Sequence, residues 1–172
     1  MNNMNWMAVA PEIFLLGMAC LVAMADLFVT SEKRRPTYWL TMLTLTGVAG
    51  LHMGYLGNQT SGYAMQGMVV TDPMGHLLAL CASLAVMASL TYSQLYASSR
   101  EMLKGELFTL SLFALLGISV MISGNNFLVI YLGLELMSLS LYALVALRRD
   151  HAQSTEAAMK YFVLGEIGRA HV

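Results

Sequence analysis

Two ionisable side chains stand inside apolar runs and away from obvious helix caps: Glu135 and Lys160. Glu135 comes eight positions after Phe127 in NNFLVIYLGLELMSLSLYALVALRR, residues 125 to 149. At ~1.5 Å per residue it stands roughly 12 Å along a helix able to cross a hydrocarbon layer about 30 Å thick. A charge there costs on the order of 2.5 to 3.5 kcal/mol, and spanning a membrane does not require one. Tyr131, Ser138 and Tyr142 fall at i−4, i+3 and i+7 from Glu135, so hydroxyls and carboxylate share one helix face. That arrangement suits a polar chain passing through a bundle, and it equally suits a protonated carboxyl gluing two helices together. Lys160 lies roughly 8 Å inside the next helix, where it serves either as a proton carrier or as an interfacial anchor that snorkels. A membrane acid and a membrane base on consecutive helices suggest a proton relay, because each shifts the other's pKa and either holds a proton transiently.

The elements that must position these groups are membrane helices. Of 172 residues 58% are hydrophobic and only 11% charged, with three prolines and a mean hydropathy of +0.64, well outside the range of water-soluble domains. A net charge of −1 gives no reason to expect nucleic-acid binding. Cys20 and Cys81 lie in apolar runs without CxxC or Cys/His spacing, which leaves packing as their role.

An apolar run follows Pro11-Glu12, ordinary chemistry for a helix start, and continues to residue 29. Ala23-Met24-Ala25 resembles a signal-peptide cleavage site, but the basic residues Lys33, Arg34 and Arg35 follow the run, so a retained first helix is expected. Asp26, near that basic end, is expected to reach the interface or pair with these cations. A second span covers about 37 to 56, with Gly47, Gly50, Gly54 and Gly57 forming a smooth stripe for a neighbouring helix. A polar, glycine-rich connection follows, containing the weak sequon Asn58-Gln59-Thr60. His52 and His76 fall near span ends and read as interfacial polar residues, since no carboxylate or second histidine is at ligand spacing. Asp72-Pro73 opens a third span at about 74 to 96, a fourth covers 106 to 122, and the Glu135 helix is the fifth. Ser154 or Thr155, with Glu156 in the first turn, starts a sixth. The fold class is therefore all-α: a polytopic transmembrane bundle of five full spans plus the start of a sixth.

Basic residues occupy every second loop: Lys33, Arg34 and Arg35, then Arg100 and Lys104, then Arg148 and Arg149. This alternation puts the amino terminus outside and the three basic loops in the cytoplasm, or in the matrix for an organelle protein.

GLELMSLSLYALVALRRD, followed by STEAAMKYFVLG, closely resembles the fifth helix and the start of the sixth in the subunit N family of bacterial NADH-quinone oxidoreductase, respiratory complex I. PEIFLLGMACLVAMADLF is similar to that family's first helix, and the resemblance covers about residues 8 to 165. It implies a membrane-arm subunit related to cation/proton antiporters. Glu135 matches a glutamate of the proton pathway and Lys160 a lysine of the same polar region. No cofactor is implied for this chain; quinone, NADH, FMN and iron–sulfur clusters belong to other subunits. The implied partners are the other membrane-arm subunits and the lipid bilayer, in the bacterial cytoplasmic (inner) membrane, with the mitochondrial inner membrane as the alternative.

The family has about fourteen spans, built as such transporter folds often are from inverted repeats, so residues 1 to 165 read as the amino-terminal part of such a subunit. Residues 166 to 172, EIGRAHV, break the apolar pattern and read as a non-native tail, the translation of a common sequencing adapter. Two other readings stay open: a subunit of a multi-subunit sodium/proton antiporter, and a helical membrane assembly protein that transports nothing.

Overall fold

The computed structural model describes residues 6–29, 34–58, 61–100 and 102–170. Lys33, Gln59 and Thr60 of the sequon, and His171 and Val172 of the expected tail lie outside them. Six helices follow in order: α1 (Ala10–Leu27, entered through a 3-10 turn at Trp6–Val9), α2 (Arg35–Gly57), α3 (Pro73–Ser99), α4 (Gly105–Ser123), α5 (Phe127–Val145) and α6 (Ala152–Ala170). The chain's three prolines each stand in the first turn of a helix, α1, α2 and α3. There the missing N–H costs no intrahelical bond and the fixed φ suits the helix. Asp72 caps α3 by accepting the Gly75 N–H at 2.8 Å, and Asn126 caps α5 by accepting the Leu128 N–H at 2.9 Å. The start of α6 differs from expectation. His151 takes the capping position, its carbonyl accepting the N–H groups of Ser154 (2.9 Å) and Thr155 (3.2 Å), so both hydroxyl residues lie inside the first turn.

α4 sits at the centre, packed against α1, α3 and α5, with a lighter contact to α2. Leu15, Ala19 and Val22 of α1, Leu45 and Val48 of α2, Leu90 of α3, and Phe108, Leu112 and Leu115 of α4 form the buried core. Among the described residues, four helical segments are long and apolar enough to cross a membrane: Trp6–Leu27, Pro73–Ser99, Gly105–Ser123 and Phe127–Val145. The 23-residue α2 has the length but not the apolarity, because threonines, glycines and a histidine dilute it. Two of its threonines are turned inward and satisfied locally. The hydroxyls of Thr41 and Thr44, both buried, donate to the carbonyls four residues earlier at 2.8 Å, so burying them leaves no orphaned donor.

The glycine stripe of α2 is not the packing surface expected of it. Only Gly47 makes a close approach, to the Phe14 ring, while Gly50, Gly54 and Gly57 have open space beside them. Close helix contact occurs instead between α4 and α5, where a β-carbon on Gly117 would stand 2.6 Å from the Met137 backbone nitrogen. A β-carbon on Gly133 would stand 2.8 Å from the Gly117 carbonyl oxygen. Only residues without side chains let two backbones approach so closely.

Between α2 and α3 the expected featureless connection holds a small antiparallel hairpin, β1 (Gly62–Ala64) paired with β2 (Val69–Thr71). Its turn passes through three consecutive left-handed residues, Met65, Gln66 and Gly67. The Asn125 N–H donates to the Met68 carbonyl at 2.9 Å, and the Asn125 amide to the Gly67 carbonyl at 2.8 Å. The hairpin is thereby tied to the α4–α5 turn.

Candidate functional site

α5 has two distinct faces. At about 100° per residue, Gly133 and Met137 point toward α4, and Tyr131, Glu135, Ser138 and Tyr142 lie on the opposite side. The four polar residues singled out by spacing do share one face. Glu135 is half-buried in mid-helix, with its carboxylate oxygen Oε1 buried. Ser138 is half-buried, Tyr142 is buried, and Tyr131 is exposed. Tyr142 carries the contact with α6, its ring edge-on to Tyr161 at 4.7 Å and to Phe162 at 5.5 Å. Its hydroxyl lies against Gly165, where a β-carbon would collide with it. The polar face of α5 is thus the face that α6 partly covers.

Lys160 immediately precedes the segment 161–165 of α6 that Tyr142 touches. Lys160 Nζ pairs with Glu156 Oε1 at 2.6 Å, one turn earlier, and its side chain is 69% exposed.

At the basic end, charges are paired as expected for Asp26. Its carboxylate meets Arg34 at 2.8 Å and accepts the Thr37 hydroxyl at 2.9 Å. It also lies against Gly105 at the start of α4, where a β-carbon would overlap it and where negative charge suits the helix dipole. Arg149 pairs with Glu106 at 2.8 Å, and Lys104 donates to the Leu147 carbonyl just beyond α5 at 3.4 Å. Cys20 and Cys81 are free thiols exposed on helix surfaces.

A second polar cluster escapes sequence reasoning. His52 of α2 and His76 of α3, 2% and 6% exposed, stand near the span ends as expected but are buried inside the bundle. Their Nδ1 atoms stand 3.2 Å apart. Glu12 of α1 and Ser119 of α4 line the same small cavity at the end of the bundle remote from the basic loops. Twenty-four positions separate the two histidines, so no local spacing signals the pair. Glu12, in a first turn, carries the ordinary signature of a helix start. A polar residue on an inward-facing stripe of each of two adjacent helices is the one signal that hints at it.

Residues 124–171 match the family model described as NADH:quinone oxidoreductase/Mrp antiporter, TM. The chain is 59% identical over 168 residues to the NADH-quinone oxidoreductase subunit N of Polaromonas naphthalenivorans, covering 96% of this chain and 33% of that protein. It is 50% identical over 171 residues to the subunit N of Herminiimonas arsenicoxydans, covering 97% of this chain and 35% of the relative. With the subunit N of Nitrosomonas europaea the identity is 50% over 157 residues, 91% of this chain and 32% of the relative. The chain spans about a third of the length of the curated relatives it matches. A multi-pass helical fold, a carboxylate in mid-helix and homology over nearly the whole chain agree: it belongs to the family of NADH-quinone oxidoreductase subunit N proteins.

Proposed function

We propose that this chain is part of a membrane-arm subunit of a proton-translocating NADH-quinone oxidoreductase, in which Glu135 carries protons within the membrane and Lys160 belongs to the same pathway. The observation that carries this reading is a half-buried carboxylate at the middle of an apolar helix, on the face shared with Tyr131, Ser138 and Tyr142. Hydroxyls at those spacings bridge a proton to and from the carboxylate, and burial lets small changes in neighbouring charge move it. Proton movement is driven by quinone reduction on other subunits, which carry NADH, FMN and the iron–sulfur clusters. The proposed partners are the other membrane-arm subunits and the lipid bilayer.

The proposed setting is the bacterial cytoplasmic membrane with the amino terminus outside. The antiparallel helices gather Arg34, Arg35, Arg100, Lys104, Arg148 and Arg149 at one end, and no lysine or arginine among the described residues 6–150 stands at the other. The family description also names Mrp antiporters, so a sodium/proton antiporter subunit is the second reading; the printed names of the relatives favour the quinone oxidoreductase.

Replacing Glu135 by Gln in the intact gene is expected to lower NADH:quinone reductase activity of the membranes by about tenfold or more, a barrier increase of about 1.4 kcal/mol. Wild-type activity in that variant would leave Glu135 as interhelical glue. Sodium-dependent proton exchange that persists without NADH would favour the antiporter reading.

A further inference from the structure

Four buried polar atoms at the end of the bundle remote from the basic loops have no hydrogen-bond partner among the described residues: Glu12 Oε2, His52 Nε2, His76 Nε2 and Ser119 Oγ. All four side chains line a single cavity of about 10 Å³. Val70 and Thr71 of the hairpin form part of its wall. Buried polar groups are almost always paired with protein or ordered water, so four orphans converging on one space demand a shared partner. The space is close to that of one water molecule, which needs two to four polar partners.

The histidine pair defines what such a water meets. With Nδ1 atoms 3.2 Å apart, one ring donates and the other accepts, and a single proton lies between them. The donating ring then offers a bare Nε2 and the accepting ring an Nε2–H, so the pair presents one acceptor and one donor. Tyr55 stacks on His76 with ring centroids 5.2 Å apart and an angle of 21°. The Tyr55 hydroxyl donates to the Met7 carbonyl at 2.7 Å, which fixes the stack. The charged and titratable groups around the pair are Glu12 from α1, Tyr55 from α2 and Asp72 ahead of α3, and no lysine or arginine among the described residues lines the cavity.

We propose that this cavity is a proton-holding site: it takes one water molecule, which links the Glu12 carboxyl to the His52–His76 pair, and the three side chains share one mobile proton. Transfer breaks the Glu12 O–H bond and forms an N–H bond at the bare histidine Nε2, with the water passing the proton across. The products are a carboxylate and an imidazolium, and no electron changes hands. The site uses residues of α1 to α4 and none of the Glu135 face, so it stands whether or not Glu135 carries protons.

The test uses the intact source protein in its assembly. A density map sharp enough to show waters is expected to place one within hydrogen-bond distance of Glu12 Oε2 and a histidine Nε2; a dry cavity overturns the proposal. Infrared difference spectra recorded across a pH series supply the second readout. Glu12→Gln is expected to remove one titrating carboxyl band, and His52→Gln or His76→Gln to displace the midpoint of that band by about one pH unit or more. A full set of bands in Glu12→Gln, or a midpoint unmoved by both histidine variants, overturns the sharing of the proton. Should the substitutions prevent assembly, the wild-type map decides. Glu135→Gln is expected to leave this band in place, so the two sites fail or stand separately.

Discussion

Glu135 and Lys160 differ in what their surroundings require of them. Lys160 and Glu156 form an exposed pair one helical turn apart, an interaction worth about 0.3 to 0.5 kcal/mol. Lys160→Ala is therefore expected to leave the thermal stability of the intact assembly nearly unchanged. A large fall in proton transfer without a fall in stability would identify the lysine as a carrier; unchanged transfer would identify an anchor. Glu135 is half-buried and its replacement is expected to act on turnover, with Glu135→Asp retaining more activity than Glu135→Gln because it keeps a titrating group on the same helix face. Spacing alone made this face legible, since one helix and its period determine who shares it. The histidine pair was not legible, because the axial register between α2 and α3 is set by tertiary packing that no spacing within either helix encodes.

Helices in this chain are positioned by their ends and by their closest contacts. The Asp72 cap of α3 is a local device, and Asp72→Ala is expected to cost about 1 kcal/mol of stability, read as a lowered melting temperature of the assembly. The α4–α5 contact is less forgiving. Any side chain on Gly117 meets the backbone of α5 at 2.6 Å and 2.7 Å, and that backbone cannot rotate away. Gly117→Val is expected to destabilise by about 1 to 3 kcal/mol or more through overpacking, seen as loss of assembled complex on native gels, whereas Gly54→Ala, in open space, should be neutral. Helix existence and most helix starts were readable from apolar runs, prolines and caps. The packing glycines were not: Gly117 and Gly133 are single residues on separate helices, while the regular stripe on α2 proved mostly unpartnered. The hairpin was also hidden, because its strands are only three residues long and its turn lacks an Asn-Gly signal.

Taken whole, the molecule is a core of α1 to α4 with α5 applied to one side and α6 lightly attached beyond it. One end gathers Arg34, Arg35, Arg100, Lys104, Arg148 and Arg149, with Arg34 paired to Asp26 and Arg149 to Glu106; the other carries the hairpin and the Glu12–His52–His76 cluster. Glu135 lies between, at mid-helix. Under the proposed function, a carboxylate so placed is part of a pathway that crosses the layer, and its loss is expected to be felt in proton movement and in the reaction that drives it. The most direct measurement is made on the intact assembly, purified with Glu135→Gln and reconstituted into vesicles, recording NADH oxidation and lumen acidification together. Both are expected to fall by about tenfold or more relative to wild type, since a coupled enzyme cannot turn over without its proton step. Wild-type acidification at wild-type turnover would contradict a proton-carrying role for Glu135.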